Sequence, residues 1–209
     1  MKKFMMIAVM TVCCLAANAQ KARHDAGQIT IQPMIGISTG YWRGEYTVNG
    51  TSGSFTADND GYRSGLIIGA EGEYYTSTDW LSLSAGVVYQ QQGWKLKNIE
   101  DVKLDYINIP ILVNFYVAKG FALKIGLQPG FLVNAKGDDL IRDKKDLDIK
   151  SECNSVNFAI PVGLSYEFKN GITLDLRGFA SLGKVNKNGD FKNYTDGGSL
   201  TIGYKFELK

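Results

Sequence analysis

The stretch from Tyr106 to Gly130, YINIPILVNFYVAKGFALKIGLQPG, decides the fold. It is long and apolar enough to suggest one membrane-spanning helix, yet it contains two prolines and a Lys-Gly pair. Apolar residues instead recur at every second position, from Ile107 to Val117 and again from Phe121 to Leu127. A period of two is the pattern of a β-strand with one apolar face. The stretch therefore predicts two strands joined by a tight turn at residues 118–120.

The same alternation continues through the rest of the chain. Six further segments carry apolar side chains on one face and glycine, small polar or charged side chains on the other: residues 28–41, 62–75, 80–91, 156–168, 172–182 and 199–208. Tilted strands that span a membrane need about 9–11 residues, whereas strands of soluble domains usually have about five or six. The segments reach the greater length, so the sequence predicts eight spanning strands.

The predicted connections alternate in length. The short ones are residues 76–79, 118–120 and 169–171, and the long, polar ones are residues 43–61, 92–103, 137–154 and 184–197. Within the third long loop, residues 140–150 favour a turn or two of helix. Short turns on one side and long loops on the other are typical of outer-membrane barrels. The predicted fold class is all-β: a transmembrane, eight-stranded, antiparallel up-and-down barrel with the short turns and both termini in the periplasm.

Aromatic residues cluster where the predicted strands meet their connections. Amphipathic rings favour the lipid–water interface, so a spanning barrel should carry two aromatic girdles. We assign to the short-turn girdle Tyr74, Tyr75, Trp80, Phe115, Tyr116, Phe121, Tyr166, Phe168, Tyr204 and Phe206, and to the long-loop girdle Tyr41, Trp42, Tyr62, Tyr89, Trp94 and Tyr106.

Four prolines fall inside the predicted strands: Pro33, Pro110, Pro129 and Pro161. A closed barrel has no edge strand that would tolerate a missing backbone donor. We therefore expect bulges or locally open pairing beside these prolines.

The first residues of the chain, MKKFMMIAVMTVCCLAANAQ, have the organisation of a secretory signal peptide. Two lysines precede an apolar stretch that runs from Phe4 to about Ala17. That stretch is short for a spanning helix, which needs about 20 residues. We predict cleavage after Ala19, which leaves residues 20–209 as one barrel domain in the outer membrane.

The composition of the remaining chain excludes two classes of protein. Cys153 is the one cysteine left after cleavage, so an internal disulfide is excluded. Without Lys2 and Lys3, the 23 basic residues fall to 21 and match the 21 acidic ones. A balanced charge argues against a nucleic-acid partner.

Three segments resemble the PorT-like outer-membrane barrel family of Bacteroidetes. YINIPILVNFY with its following turn resembles a hairpin of that family, VNFAIPVGLSYEF resembles the next strand, and LTIGYKFEL resembles the closing strand. The resemblance implies a small eight-stranded outer-membrane barrel, and it implies that some relatives assist protein secretion or maturation. The last strand also resembles the C-terminal signal that the barrel-assembly machinery reads, which would fall on Thr201, Gly203, Phe206 and Leu208.

Catalytic chemistry finds little support in the sequence. His24 is the one histidine, and it precedes the first predicted strand, so a histidine base on the barrel rim is missing. The acidic stretch from Asp138 to Asp148 offers oxygen ligands of the kind that Ca²⁺ takes, but its interleaved lysines favour a solvated loop. We therefore predict no enzyme, no cofactor and no metal site.

Three classes of function remain open. The first is a non-enzymatic barrel with an envelope-structural, surface-interaction or secretion-accessory role, and the second is a small-solute pore. The third, a soluble periplasmic barrel that binds a lipid in its lumen, is disfavoured because the polar face is rich in Gly, Ser, Asn and charged residues. The expected partners are outer-membrane lipid, the barrel-assembly machinery and an envelope or extracellular protein.

The polar faces of the strands predict a charged lumen. An eight-stranded barrel is just wide enough to be filled by its own side chains, and buried charges persist when they are paired. Five acids and four bases fall on the inward faces, and we predict that they form a structural polar plug: Arg63, Glu71, Glu73, Lys124, Glu167, Asp175, Arg177, Lys205 and Glu207.

Overall fold

A computed structural model describes residues 24–48, 51–56, 61–96, 100–139, 144–187 and 191–208. The predicted signal peptide therefore lies outside the described residues. The strands are β1 Ile29–Val48, β2 Thr51–Thr56, β3 Arg63–Tyr75, β4 Leu81–Leu96, β5 Glu100–Asn108, β6 Ile111–Ala118, β7 Phe121–Asp139, β8 Lys144–Asp148, β9 Val156–Glu167, β10 Ile172–Ser181, β11 Phe191–Tyr204 and β12 Phe206–Leu208. A short 3₁₀ helix covers Lys150–Glu152. Within these ranges, no helix is long and apolar enough to cross a membrane.

The sheet closes on itself. Each strand pairs antiparallel with its neighbours in the order β11, β10, β9, β7, β5, β4, β3 and β1, and β1 pairs again with β11. β6 continues the path of β5 between β4 and β7, and β12 continues β11 beside β1. β2 and β8 lie outside the ring and pair only with β1 and β7. The ring has eight positions, which confirms the predicted all-β up-and-down barrel.

Alternation along each strand separates an apolar outside from a polar inside. In β1, Ile35 and Ile37 are 48% and 60% exposed, whereas Ser38 is fully buried. Successive side chains of a strand point to opposite faces, so one face meets the surroundings of the barrel and the other fills the lumen. The exposed aliphatic residues of all the ring strands form a continuous band around the barrel, as a lipid-facing surface requires.

The strands continue beyond the predicted ends at the long-loop side, so the loop boundaries predicted from the sequence are wrong. Residues 92–103 were expected as a loop, yet β4 extends to Leu96 and β5 begins at Glu100. The helix predicted over residues 140–150 is also wrong where the structure describes it, because Lys144–Asp148 is strand β8. Residues 140–143 lie outside the described ranges.

The aromatic girdles were only partly assigned correctly. Tyr74, Trp80, Tyr166, Phe168, Tyr204 and Phe206 are exposed on the outside near the short turns. Tyr75 and Tyr116 instead point into the lumen and are 2% and 3% exposed, because each lies on the polar face of its strand. Trp94 and Tyr106 are also buried, inside the long-loop end of the barrel.

The prolines interrupt the pairing, as expected from the missing donor. Pro110 separates β5 from β6, and the ladder continues around it through Gly86 N–H to the Pro110 carbonyl and Ile109 N–H to the Pro129 carbonyl. Pairing between β1 and the last two strands lapses at Pro33, and pairing between β7 and β9 lapses opposite Pro161. The barrel thus accommodates its prolines by opening the ladder locally.

Candidate functional site in the barrel lumen

Four charged side chains form a buried group at mid-height in the lumen, here named the central cluster: Glu71, Lys124, Asp175 and Arg177. The Arg177 guanidinium donates to both Glu71 oxygens, with Nη2 2.7 Å from Oε2, and Nε donates to Asp175 Oδ1 at 2.6 Å. Lys124 Nζ lies 2.7 Å from Asp175 Oδ2 and 3.8 Å from Glu71 Oε2. Two bases therefore neutralise two carboxylates, and all four side chains are buried.

Glycines on neighbouring strands make room for these long side chains. Gly163 on β9 pairs with Arg177 on β10, and a Cβ atom at Gly163 would lie 2.8 Å from Arg177 Cγ. Gly86 on β4 pairs with Glu71 on β3, and a Cβ atom there would lie 2.5 Å from Glu71 Cγ. Both side chains can therefore lie across the neighbouring strand toward the centre of the lumen.

A second buried group closes the lumen near the short turns and is here named the mouth cluster: His24, Glu73, Tyr75, Tyr116, Glu167 and Lys205. Lys205 Nζ lies 2.7 Å from Glu73 Oε2 and 3.2 Å from Glu167 Oε2. It also lies 2.8 Å and 3.1 Å from the hydroxyl oxygens of Tyr75 and Tyr116. One ammonium group thus joins side chains from three separate strands.

Glu73 accepts further hydrogen bonds from neutral side chains. Its Oε1 accepts from the Tyr116 hydroxyl at 2.7 Å, from Asn114 Nδ2 at 3.2 Å and from the Ser82 hydroxyl. Asn114 is fully buried and also donates to Ser84. A buried carboxylate is tolerated when its lone pairs are occupied in this way.

Seven of the nine residues predicted for the plug lie in the two clusters: Glu71, Glu73, Lys124, Glu167, Asp175, Arg177 and Lys205. The other two lie at the rims. Arg63 pairs with Asp101 toward the long loops, and both side chains are partly exposed. The Glu207 side chain is 63% exposed and reaches only His24.

Several members of the clusters were not recognised from the sequence. Tyr75 and Tyr116 were assigned to a girdle, although their position on the polar face of their strands was the signal for a lumen residue. His24 lies before the first strand, where alternation gives no information. It nevertheless reaches into the barrel, with Nε2 2.9 Å from Glu167 Oε1 and its ring 4.7 Å from the Tyr75 ring.

The long-loop end of the lumen is filled by apolar side chains instead of charges. This group, here named the loop-side cap, contains Trp94, Val102, Leu104, Tyr106, Leu132, Ala135, Cys153 and Val185, with Trp42 and Ile149 packed against it. Leu104 and Ala135 have no exposed surface. The lumen is therefore occupied at three levels: by the mouth cluster, by the central cluster and by this apolar cap.

The acidic loop beside the cap is held by lysines. Asp138 Oδ2 lies 3.7 Å from Lys103 Nζ, and Asp146 Oδ1 lies 3.5 Å from the same atom. The Asp146 backbone N–H donates to Asp138 Oδ1 and holds the pKa of Asp138 below its ordinary value. Within the part of the chain that the structure describes, no group of three acidic, histidine or cysteine side chains could hold a metal ion. Asp143 lies outside that part.

The sequence from residue 18 to residue 187 matches a known family, described as the outer membrane protein beta-barrel domain. The chain belongs to this family. The closed ring of strands, its apolar outer band and its filled polar interior agree with that membership, and the family locates the barrel in an outer membrane. A search of curated proteins finds no significant match.

Solved structures similar to this family member are small outer-membrane proteins. Ail, the attachment invasion locus protein of Yersinia pestis, shares 17% identity over 83% of this chain and 99% of its own, with a TM-score of 0.43. Neisserial surface protein A shares 16% over 86% and 97%, with a TM-score of 0.45. OprG of Pseudomonas aeruginosa shares 14% over 88% and 97%, with a TM-score of 0.45. Similarity at this level carries no assignment of function.

Proposed function

We propose that this protein is a non-enzymatic outer-membrane barrel that presents a β-sheet extension outside the cell for interaction with an envelope or extracellular protein. The observation that carries the proposal is the one-sided length of the strands. β1 has 20 residues and β7 has 19. A 20-residue strand with a tilt of about 40° spans roughly 50 Å along the membrane normal, about twice the ~25 Å apolar band of such barrels.

The excess length lies at the long-loop end. β1 continues from Ser38 to Val48 beyond Ile37, which is 60% exposed in the apolar band. At that end β2 and β8 widen the sheet by pairing with β1 and β7. The connections at the other end are short, since residues 119–120 alone join β6 to β7. A barrel built this way devotes most of its extramembrane structure to one surface.

The filled lumen favours a structural or interaction role over the two alternatives. A small-solute pore needs a continuous aqueous path, whereas both charge clusters and the loop-side cap consist of buried, contacting side chains. A soluble lipid-binding barrel needs an apolar cavity, whereas Lys124 and Asp175 occupy the centre. Catalysis is disfavoured because His24, the one histidine, is engaged by Glu167 at the mouth away from the long loops.

We further propose that the chain is a PorT-like barrel of Bacteroidetes, exported by a signal peptide cleaved after Ala19 and inserted by the barrel-assembly machinery. The strand motifs YINIPILVNFY and VNFAIPVGLSYEF support the family assignment. The closing strand supports the assembly signal, since Phe206 and Leu208 pair with Ile31 and Ile29 of β1 where the ring closes. A secretion-accessory role remains part of this proposal through the resemblance alone.

The surface role is tested by the accessibility of inserted epitope tags. Tags near Gly53 in β2 and near Asp143 should be labelled by antibody on intact cells, because both lie toward the long-loop end. A tag within residues 169–171, in a short turn, should be labelled only after the outer membrane is permeabilised. The opposite pattern of labelling would place the extension in the periplasm and contradict the proposal.

A further inference from the structure

The segment before β1 is fastened to the short-turn mouth of the barrel by one side chain. His24 is 7% exposed, although the next three residues are all exposed. After His24, the first backbone hydrogen bond to the barrel is from Gly27 N–H to the Tyr75 carbonyl, followed by Tyr75 N–H to the Gln28 carbonyl. Contacts of the His24 ring therefore decide whether residues 24–26 stay against the mouth.

Both ring nitrogens of His24 face carboxylates. Nε2 lies 2.9 Å from Glu167 Oε1, and Nδ1 lies 3.2 Å from Glu207 Oε1 in an ion-pair contact that is not aligned as a hydrogen bond. A neutral imidazole carries one N–H, and an ionised carboxylate only accepts. Either neutral tautomer would therefore turn a nitrogen lone pair toward a carboxylate oxygen. Only the imidazolium ion presents positive N–H groups to both.

The charges around His24 favour the same form. The mouth cluster and Glu207 supply three carboxylates, from β3, β9 and β12, and Lys205 supplies the one buried ammonium group, while Tyr75 contributes a neutral ring. Lys119 and Lys169 line the same cleft from the short turns, but both are exposed, where water and salt screen their charge. Asp25, next in the chain, adds a further exposed negative charge. A positive charge on His24 is therefore stabilised from nearly every side.

We propose that His24 is a proton-dependent latch that holds the segment before β1 across the short-turn mouth of the lumen. The closed latch binds a proton that the released segment binds less strongly, so acid conditions keep it closed and rising pH releases it. Release withdraws the His24 ring from Glu167 and Tyr75 and leaves the mouth cluster open to a cleft of about 680 Å³. The device is independent of the surface role proposed above.

The mobility of residue 26 tests the latch in the intact, folded protein. A nitroxide label on Ala26→Cys, in a Cys153→Ser background, is recorded at about pH 5.5 and pH 8.5, an interval in which histidine is the ordinary side chain that changes charge. The label should be restricted at the lower pH and several-fold more mobile at the higher. His24→Gln removes the charge and should be mobile at both values, whereas His24→Lys keeps a fixed charge and should be restricted at both.

Two controls separate the latch from other causes. The fully folded barrel migrates differently before and after boiling on SDS gels, and this difference should persist at both pH values. Mobility that rises together with loss of the folded band would mean unfolding and would overturn the proposal. Equal mobility of the wild-type label at both pH values, or a pH response that survives in His24→Gln, would overturn it as well.

Discussion

Replacing Arg177 with alanine is expected to lower the free energy of unfolding by about 3–5 kcal/mol, the usual effect of removing one partner from a buried ion pair. Arg177 donates to both Glu71 and Asp175, and its loss leaves Lys124 as the one base for two buried carboxylates. The barrel should still fold, because the backbone ladder is unchanged. Urea titration of the protein in detergent or lipid vesicles measures the difference.

Two further variants establish the cause of that loss. Arg63→Ala breaks a partly exposed pair with Asp101 at the rim and should reduce stability by about 1 kcal/mol or less. Glu71→Gln in the Arg177→Ala background removes one uncompensated charge and should restore part of the stability, since coupled residues are not additive. An Arg177→Ala protein as stable as the wild type would contradict the central cluster described here.

Gly36→Val is expected to prevent closure of the barrel. Gly36 on β1 pairs with Thr201 on β11, at the seam where the first and last strands of the ring meet. A Cβ atom at Gly36 would overlap the Leu200 carbonyl oxygen and lie 2.7 Å from Thr201 Cα. Backbone atoms cannot rotate away as a side chain can, so the strands must separate. The expected result is loss of the folded band on SDS gels of unboiled protein.

Gly72→Val is the matched control for the seam variant. Gly72 also lies within a strand of the ring, but a Cβ atom there meets no heavy atom closer than 3.8 Å, and the residue is exposed on the outer surface. The Gly72→Val protein should therefore fold and show the wild-type heat shift. Folding of Gly36→Val to the same extent would contradict the close packing of β1 against β11.

The part of the fold inside the membrane could be predicted because the surroundings impose a simple pattern. Lipid outside and polar groups inside produce alternation such as Ile35, Gly36, Ile37 and Ser38 in β1. Outside the membrane that pattern is reversed, because water meets the outer face and the loop-side cap fills the inner face. Leu104 and Val102 are buried there, so β4 and β5 looked like a polar loop.

Alternation also shows which face a charge occupies but not its height in the barrel. Arg63 and Glu207 share the inward-facing parity of Arg177, yet each lies at a rim, where the lumen opens to solvent. Height follows from the register between strands that are distant in sequence. Arg177 reaches Glu71 across 106 positions and His24 reaches Glu167 across 143. Such pairings depend on barrel closure, which a single sequence does not specify.

Electrical recording tests the central claim, that the barrel lumen is closed by its own side chains. Wild-type protein is reconstituted into planar bilayers, and the heat shift of the same preparation in vesicles verifies that the inserted protein is folded. The two charge clusters and the loop-side cap predict little or no steady conductance, because buried contacting side chains occupy the lumen at three levels. Large, stable channels from folded wild-type protein would contradict the filled lumen and identify the barrel as a pore.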